Sequence, residues 1–186
     1  MIKFTHPHGK IQSKRYYQNQ AKEIESLPIH RSTWWKAEEI VPSSLEHLLL
    51  SLKQLENQSS SFITLGELSQ SAKIKLAHGE LVRRTGVKRN GYEPTVIDVP
   101  SRFVCFDLDQ ARWPLNTDKH SVIREAIKLS LPEPFHDADV ICQMSSSCKI
   151  KNHAQLKCHL FFELAQPRTL AQLKALTWWP TNHEDK

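Results

Sequence analysis

Four side chains in this sequence have the types and spacing of a metal–phosphate site: Asp107, Asp109, Lys157 and His159. The run Arg102-Phe-Val-Cys-Phe-Asp-Leu-Asp109 is rich in β-branched and aromatic residues and reads as a strand. Side chains alternate along a strand, so Val104, Phe106 and Leu108 share one face while Cys105, Asp107 and Asp109 share the other. Two aspartates at i and i+2 on one face converge on a single divalent cation. With substrate phosphates they complete the oxygen cage that Mg2+ or Mn2+ prefers. Taken alone, two acids separated by one residue are more often simply solvated. Their place at the end of an otherwise apolar strand, where like charges repel, gives the pair weight.

Residues 156–164 repeat the pattern. Cys158, Leu160 and Phe162 fall on one face, and Lys157, His159, Phe161 and Glu163 on the other. With the apolar faces packed together, Lys157 and His159 look out on the same side as Asp107 and Asp109. A cation, an imidazole and two carboxylates on an open sheet face form a plausible metal–triphosphate site. Ahead of this strand lie Ser145-Ser146-Ser147 and a loop with Lys149, Lys151 and His153, whose hydroxyls, turn amides and charges suit phosphate. A serine-rich turn serving only as a connector fits equally well.

These residues must be positioned by the elements around them. Leu45, Leu48, Leu49, Leu52 and Leu55 form one stripe after a capping box of Ser43 and Glu46, which predicts a helix over about 44–57. Residues 62–82 are ambiguous between strand and helix, and 83–100 read as loop. A helix is expected over 119–129, burying Val122, Ile123, Ala126, Ile127 and Leu129, then strands over 138–144 and 156–164. Thr169 and Gln172 make a second capping box, opening a helix with Leu170, Leu173 and Leu176. From 102 the order is β–α–β–β–α. This predicts an α+β fold built on a partial RNA-recognition-like (ferredoxin-like) antiparallel sheet with helices on one face. Residues 1–42 read as a basic arm or irregular segment, and 43–186 as the core, with the motif-bearing part at 100–180.

The chain has 186 residues, 39% hydrophobic and 24% charged, the proportions of a soluble domain. No apolar run reaches membrane-spanning length and no signal-peptide core follows Met1, so a cytoplasmic protein with no membrane partner is expected. The net charge of +5 favours an anionic partner. Lys3, Lys10, Lys14, Arg15, Lys22 and Arg31 cluster near Tyr16, Tyr17, Trp34 and Trp35; Lys73, Lys75, Arg83, Arg84, Lys88 and Arg89 form a second cluster. Phosphate contacts combined with ring stacking use this composition, although a solvated basic face fits either cluster alone. The four cysteines are expected to be reduced.

Phe106-Asp107-Leu108-Asp109 resembles the first motif of archaeo-eukaryotic-type primases (primase–polymerases). The serine cluster followed by Lys157-Cys158-His159-Leu160-Phe161-Phe162 resembles their second. The stretch from Glu163 through Pro167 to Thr169 is similar to members from plasmids, phages and mobile elements. The likeness spans about 80–180. It implies metal-dependent, template-directed nucleotidyl transfer in DNA replication, with nucleoside triphosphates and single-stranded DNA as partners and a helicase or replication initiator alongside. Asp107 and Asp109 would hold Mg2+ or Mn2+ as catalytic ligands. His159, with Lys157 and Ser147, would bind the incoming nucleotide, and Arg83, Arg84, Lys88 and Arg89 would contact nucleic acid. The family carries a third acidic ligand on a later strand. Here Trp178-Trp179-Pro180 is followed by a polar tail ending His183-Glu184-Asp185-Lys186. On this reading the chain is a C-terminally truncated or degenerate form, or borrows a partner's carboxylate.

Two other readings use the same residues. Val104-Cys-Phe-Asp-Leu-Asp109 also resembles the nucleophile strand of haloacid-dehalogenase-like phosphotransferases, but Gln110-Ala111 replaces the glycine and hydroxyl residue expected after it. A non-catalytic DNA-binding replication protein, stabilised by zinc on Cys142, Cys148, His153 and Cys158, lacks the tight Cys-x-x-Cys spacing, which disfavours zinc.

Overall fold

Ile2 and Phe4 alternate with Lys3 and Thr5, and in the computed structural model this four-residue pattern is the middle strand of a sheet rather than part of an arm. The structure describes residues 1–12, 15–27, 32–88, 91–113, 117–148, 150 and 154–177. Strand β1 (Ile2–Thr5) pairs antiparallel with β4 (Lys36–Glu39) on one side and β5 (Ser61–Thr64) on the other. Between β1 and β4 lies an exposed hairpin, β2 (Tyr16–Gln18) with β3 (Ile24–Ser26). Ile2 and Phe4 are fully buried with Trp35, Leu68, Ala72 and Val82. Phe4 stacks on Phe62 with ring centroids 5.5 Å apart, and Trp35 meets Phe62 edge-on at 5.0 Å. The expectation of an irregular segment over 1–42 is corrected for this reason. A four-residue strand has no measurable period of its own, and its burial comes from residues thirty to eighty positions away.

The ambiguous stretch after β5 resolves into β6 (Glu67–Leu68) and α2 (Gln70–Ala77), capped by Ser69. β6 pairs with β7 (Val96–Ile97), and the Glu39 carboxylate accepts the Leu68 N–H at 2.8 Å and pairs with Lys73 at 3.1 Å. Helix α1 (Leu45–Glu56) forms as its leucine stripe requires, with Leu48 and Leu52 buried. Its N-cap is Ser44 rather than Ser43. The Ser44 hydroxyl accepts the His47 N–H at 3.2 Å, while the His47 ring contacts Ser43.

The second sheet runs β8 (Ser101–Arg112), β10 (Gln155–Arg168) and β9 (Ile141–Met144) in the spatial order β8–β10–β9, all antiparallel. Helix α3 (Lys119–Ser130), capped by Asp118, and α4 (Leu170–Thr177) complete the β–α–β–β–α order. A short 3-10 turn (Glu133–Phe135) separates α3 from β9. The chain is therefore α+β, with the sheet order of a ferredoxin-like unit's first three strands. One face packs Val104, Leu156, Cys158, Leu160 and Phe162 against Val122, Ile123, Ala126 and Ile127 of α3 and Leu173 of α4. Leu129, expected to be buried, is exposed at the edge of its helical stripe, and Leu170 at the start of α4 is exposed as well. Thr169 and Gln172 exchange the reciprocal bonds of a capping box.

The opposite face is not bare throughout. Phe103 and Phe161 are buried against Leu48 and Leu52 of α1, with Cys105 and Ile141 at their margin. Glu163, read as lining the open face, accepts the N–H of Leu45 at the start of α1 (2.9 Å) and pairs with Arg102 (2.8 Å). A carboxylate suits a helix N-terminus because unpaired amides gather there. Helices thus flank the sheet on both sides at this level, and only the half of the second face that begins at Asp107 is polar. No helix among the described residues is long and apolar enough to cross a membrane.

Candidate functional site

Strand pairing brings the expected side chains together. Asp107 lies directly opposite His159 across β8 and β10, with His159 Nε2 3.5 Å from Asp107 Oδ1. One step along, Lys157 Nζ lies 4.0 Å from Asp109 Oδ1. The carboxylates are 60% and 65% exposed and the imidazole 41% exposed, so solvent and a ligand reach all three. On the far side of β10, Gln143 of β9 is the register partner of His159. Sequence reasoning passed over Gln143. The alternation of Cys142 and Met144 onto the apolar face was the signal that puts it on the polar one.

A β-bulge shapes the Asp109 end. Cys158 pairs with Leu108 and Leu156 with Ala111, so two residues of β8, Asp109 and Gln110, oppose the single residue Lys157. The bulge keeps Leu108 and Ala111 both against the core on either side of the acid. The carbonyl of Asp109 accepts the side-chain amide of Gln155 at 3.0 Å, so it keeps a partner at this irregularity. Bulges of this kind re-aim side chains and recur beside active sites.

The serine turn folds back on the same end of β10. Ser145 donates its N–H to the Lys157 carbonyl (2.9 Å), and the Ser145 and Ser147 hydroxyls are 3.0 Å apart. The Ser147 N–H points to Ser145 Oγ at 3.4 Å, so the turn is held from within. Lys149, Lys151 and His153 lie outside the described residues.

The cysteines behave as thiols of a packed sheet. Burial, and then the charge of Asp107, push the Cys105 thiol up to about 12. Cys158 is raised by its hydrogen bond with Cys142 and then by burial; Cys142 is lowered by the same bond, with Lys119 assisting. Because the thiolate is the nucleophile, roughly one Cys105 in ten thousand is reactive at pH 8. Iodoacetamide treatment of the folded chain at that pH, read by peptide mass spectrometry, should leave Cys105 and the fully buried Cys158 unmodified. Rapid labelling of Cys105 would contradict its cover by α1. The four proposed zinc ligands include His153, outside the described residues. Among the described residues no group of three or more His, Cys, Asp or Glu side chains is arranged to hold a metal. Asp107 and Asp109 supply two carboxylates, which is the protein share Mg2+ commonly takes when substrate phosphates provide the rest.

Of the residues expected to contact nucleic acid, Arg83 and Arg84 directly follow Val82, which bridges to Trp35 in the first core. Arg83 lies over the rings of Tyr92 (4.5 Å) and Trp34 (5.8 Å), and Arg84 over Phe62 (5.1 Å). Lys88 is paired with Glu93 at 2.6 Å, and Arg89 lies outside the described residues. Comparison with protein-family models, with curated proteins and with solved structures finds no match to this chain.

Proposed function

We propose that the polar half of the second sheet is a divalent-metal and nucleoside-triphosphate site of primase–polymerase type, acting in template-directed nucleotidyl transfer on single-stranded DNA in the cytoplasm. The observation that carries this reading is the pairing of Asp107 with His159 and of Asp109 with Lys157 on one solvent-facing patch. Asp107 and Asp109 would hold Mg2+ or Mn2+, which polarises the reacting phosphate and the attacking hydroxyl when bound. His159 and Lys157 now face carboxylates. Exposed pairs of this length contribute only about 0–1 kcal/mol, so both side chains are free to turn to phosphate oxygens at little cost. The bulge holds Asp109 on the site while β8 continues into the core. Ser147 stands in the turn bonded to β10 beside Lys157 and offers its hydroxyl to the same phosphates.

The test is a titration of a fluorescent nucleoside triphosphate with Mn2+ present or chelated. Metal-dependent binding by the native chain is expected, with the metal dependence gone in Asp107→Asn/Asp109→Asn. His159→Ala should weaken binding about 10- to 150-fold, the range for a hydrogen bond to a charged group. No binding by a folded native chain, or binding indifferent to chelation, would remove the reading.

One separate observation favours a replication protein that binds single-stranded DNA without chemistry: the arginine–aromatic cluster on the first core does not depend on the carboxylates.

A further inference from the structure

Trp34 and Trp35 are adjacent in sequence and opposite in fate. Trp35 is buried at 6% exposure and bonded to Val82 through both backbone groups, whereas Trp34 turns outward at 37% exposure. There it meets Tyr92, also 37% exposed, edge-on with centroids 5.6 Å apart. The Arg83 guanidinium lies over both rings, closer to Tyr92. These three residues line a shallow cavity of about 150 Å³ with Lys75, Thr95 and Glu93, the last already engaged by Lys88. The two rings adjoin at the surface and offer stacking area to a ligand. Here the position a small cation would take against the rings is filled by Arg83, so the ligand that fits is a flat ring carrying negative charge.

We infer that Trp34, Tyr92 and Arg83 form a base-stacking site for single-stranded nucleic acid, with Lys75 and Arg83 meeting the adjoining phosphates. The chain's net charge of +5 and the cations Lys75 and Arg83 lining the cavity complement a polyanion. Unpaired bases present free faces to aromatic side chains, whereas duplex bases are already stacked on each other. The inference rests on the nucleic-acid part of the reading above and is independent of its metal chemistry.

Anisotropy of a fluorescent oligo-dT in EDTA, with no triphosphate present, reads this site alone. Loss of a stacking ring typically weakens binding about 5- to 150-fold, and Trp34→Ala should fall in that range, while Trp34→Phe keeps most of the affinity. Lys75→Ala should lower the slope of log affinity against log salt by about one, and Trp34→Ala should leave that slope unchanged. Trp34 lies outside the core clusters but is about two-thirds covered, so Trp34→Ala is compared with the native chain at a temperature where circular dichroism shows both fully folded. Oligo-dT binding by a chain that fails the Mn2+–triphosphate test would keep this site and remove the catalytic reading. Undiminished binding by folded Trp34→Ala, equal affinity for duplex, equal affinity for inorganic polyphosphate, or no oligo-dT binding by the native chain would each overturn the stacking site.

Discussion

Replacing Phe161 by alanine should destabilise the fold by about 3–5 kcal/mol, as much as the same change at Phe162. The two residues point to opposite faces of β10, yet they are 4% and 1% exposed. Phe162 packs against Phe106 and Phe135, and Phe161 lies among Phe103, Leu48 and Leu52. A phenylalanine on an open sheet face would lose within about 0.5 kcal/mol on truncation. Urea unfolding followed by far-ultraviolet circular dichroism distinguishes these outcomes. A small loss at Phe161 with a large one at Phe162 would mean that α1 does not seat on the sheet. Against a typical total of about 5–15 kcal/mol, either loss leaves a marginal protein.

Gly66→Ala should cost about 3 kcal/mol or more, combining two penalties. The backbone there has φ +113°, outside the range L-residues adopt easily, and a Cβ would stand 2.7 Å from Val96 Cγ1 and 2.8 Å from the Ile97 carbonyl oxygen. Strain of this kind is about 1–3 kcal/mol and overpacking adds a similar amount. Gly79→Ala is the control. It also has positive φ, just past the end of α2, but nothing lies within 4 Å of a Cβ, so only the conformational penalty of about 1–2 kcal/mol remains. Equal melting temperatures for the two variants would contradict the close approach of Gly66 to β7.

What the sequence disclosed follows from how local each cause is. The leucine stripe of α1, the four buried residues of α3 and the Thr169–Gln172 cap are written within a few turns of chain, and they form where expected. Alternation along β8 and β10 likewise put Asp107 and His159 on one face. The first sheet and the separate β6–β7 pair were not legible. β1 owes its burial to Phe62, Trp35 and Val82, and β6 and β7 have two residues each, fixed by pairing rather than propensity. Alternation also could not say that Phe161 and Glu163 would meet α1, since the partner helix lies more than a hundred residues earlier. Arg83 was read as a phosphate contact from its charge. Its stacking on Trp34 and Tyr92 depends on two distant loops converging. The bulge at Asp109 left no trace in residue type, because Asp-Gln-Ala continues the strand without a glycine.

That bulge also sets which deletions β8 can survive. Removing one residue from a regular strand turns every later side chain to the other face. Between Leu108 and Ala111 the arithmetic is different. With two residues separating them where alternation needs one, loss of Gln110 alone would restore an unbroken ladder and leave Ala111 on its present side. At this point the core and the site are separable by a single codon, so changes in length here can alter how Asp109 is presented without unfolding the sheet that carries it.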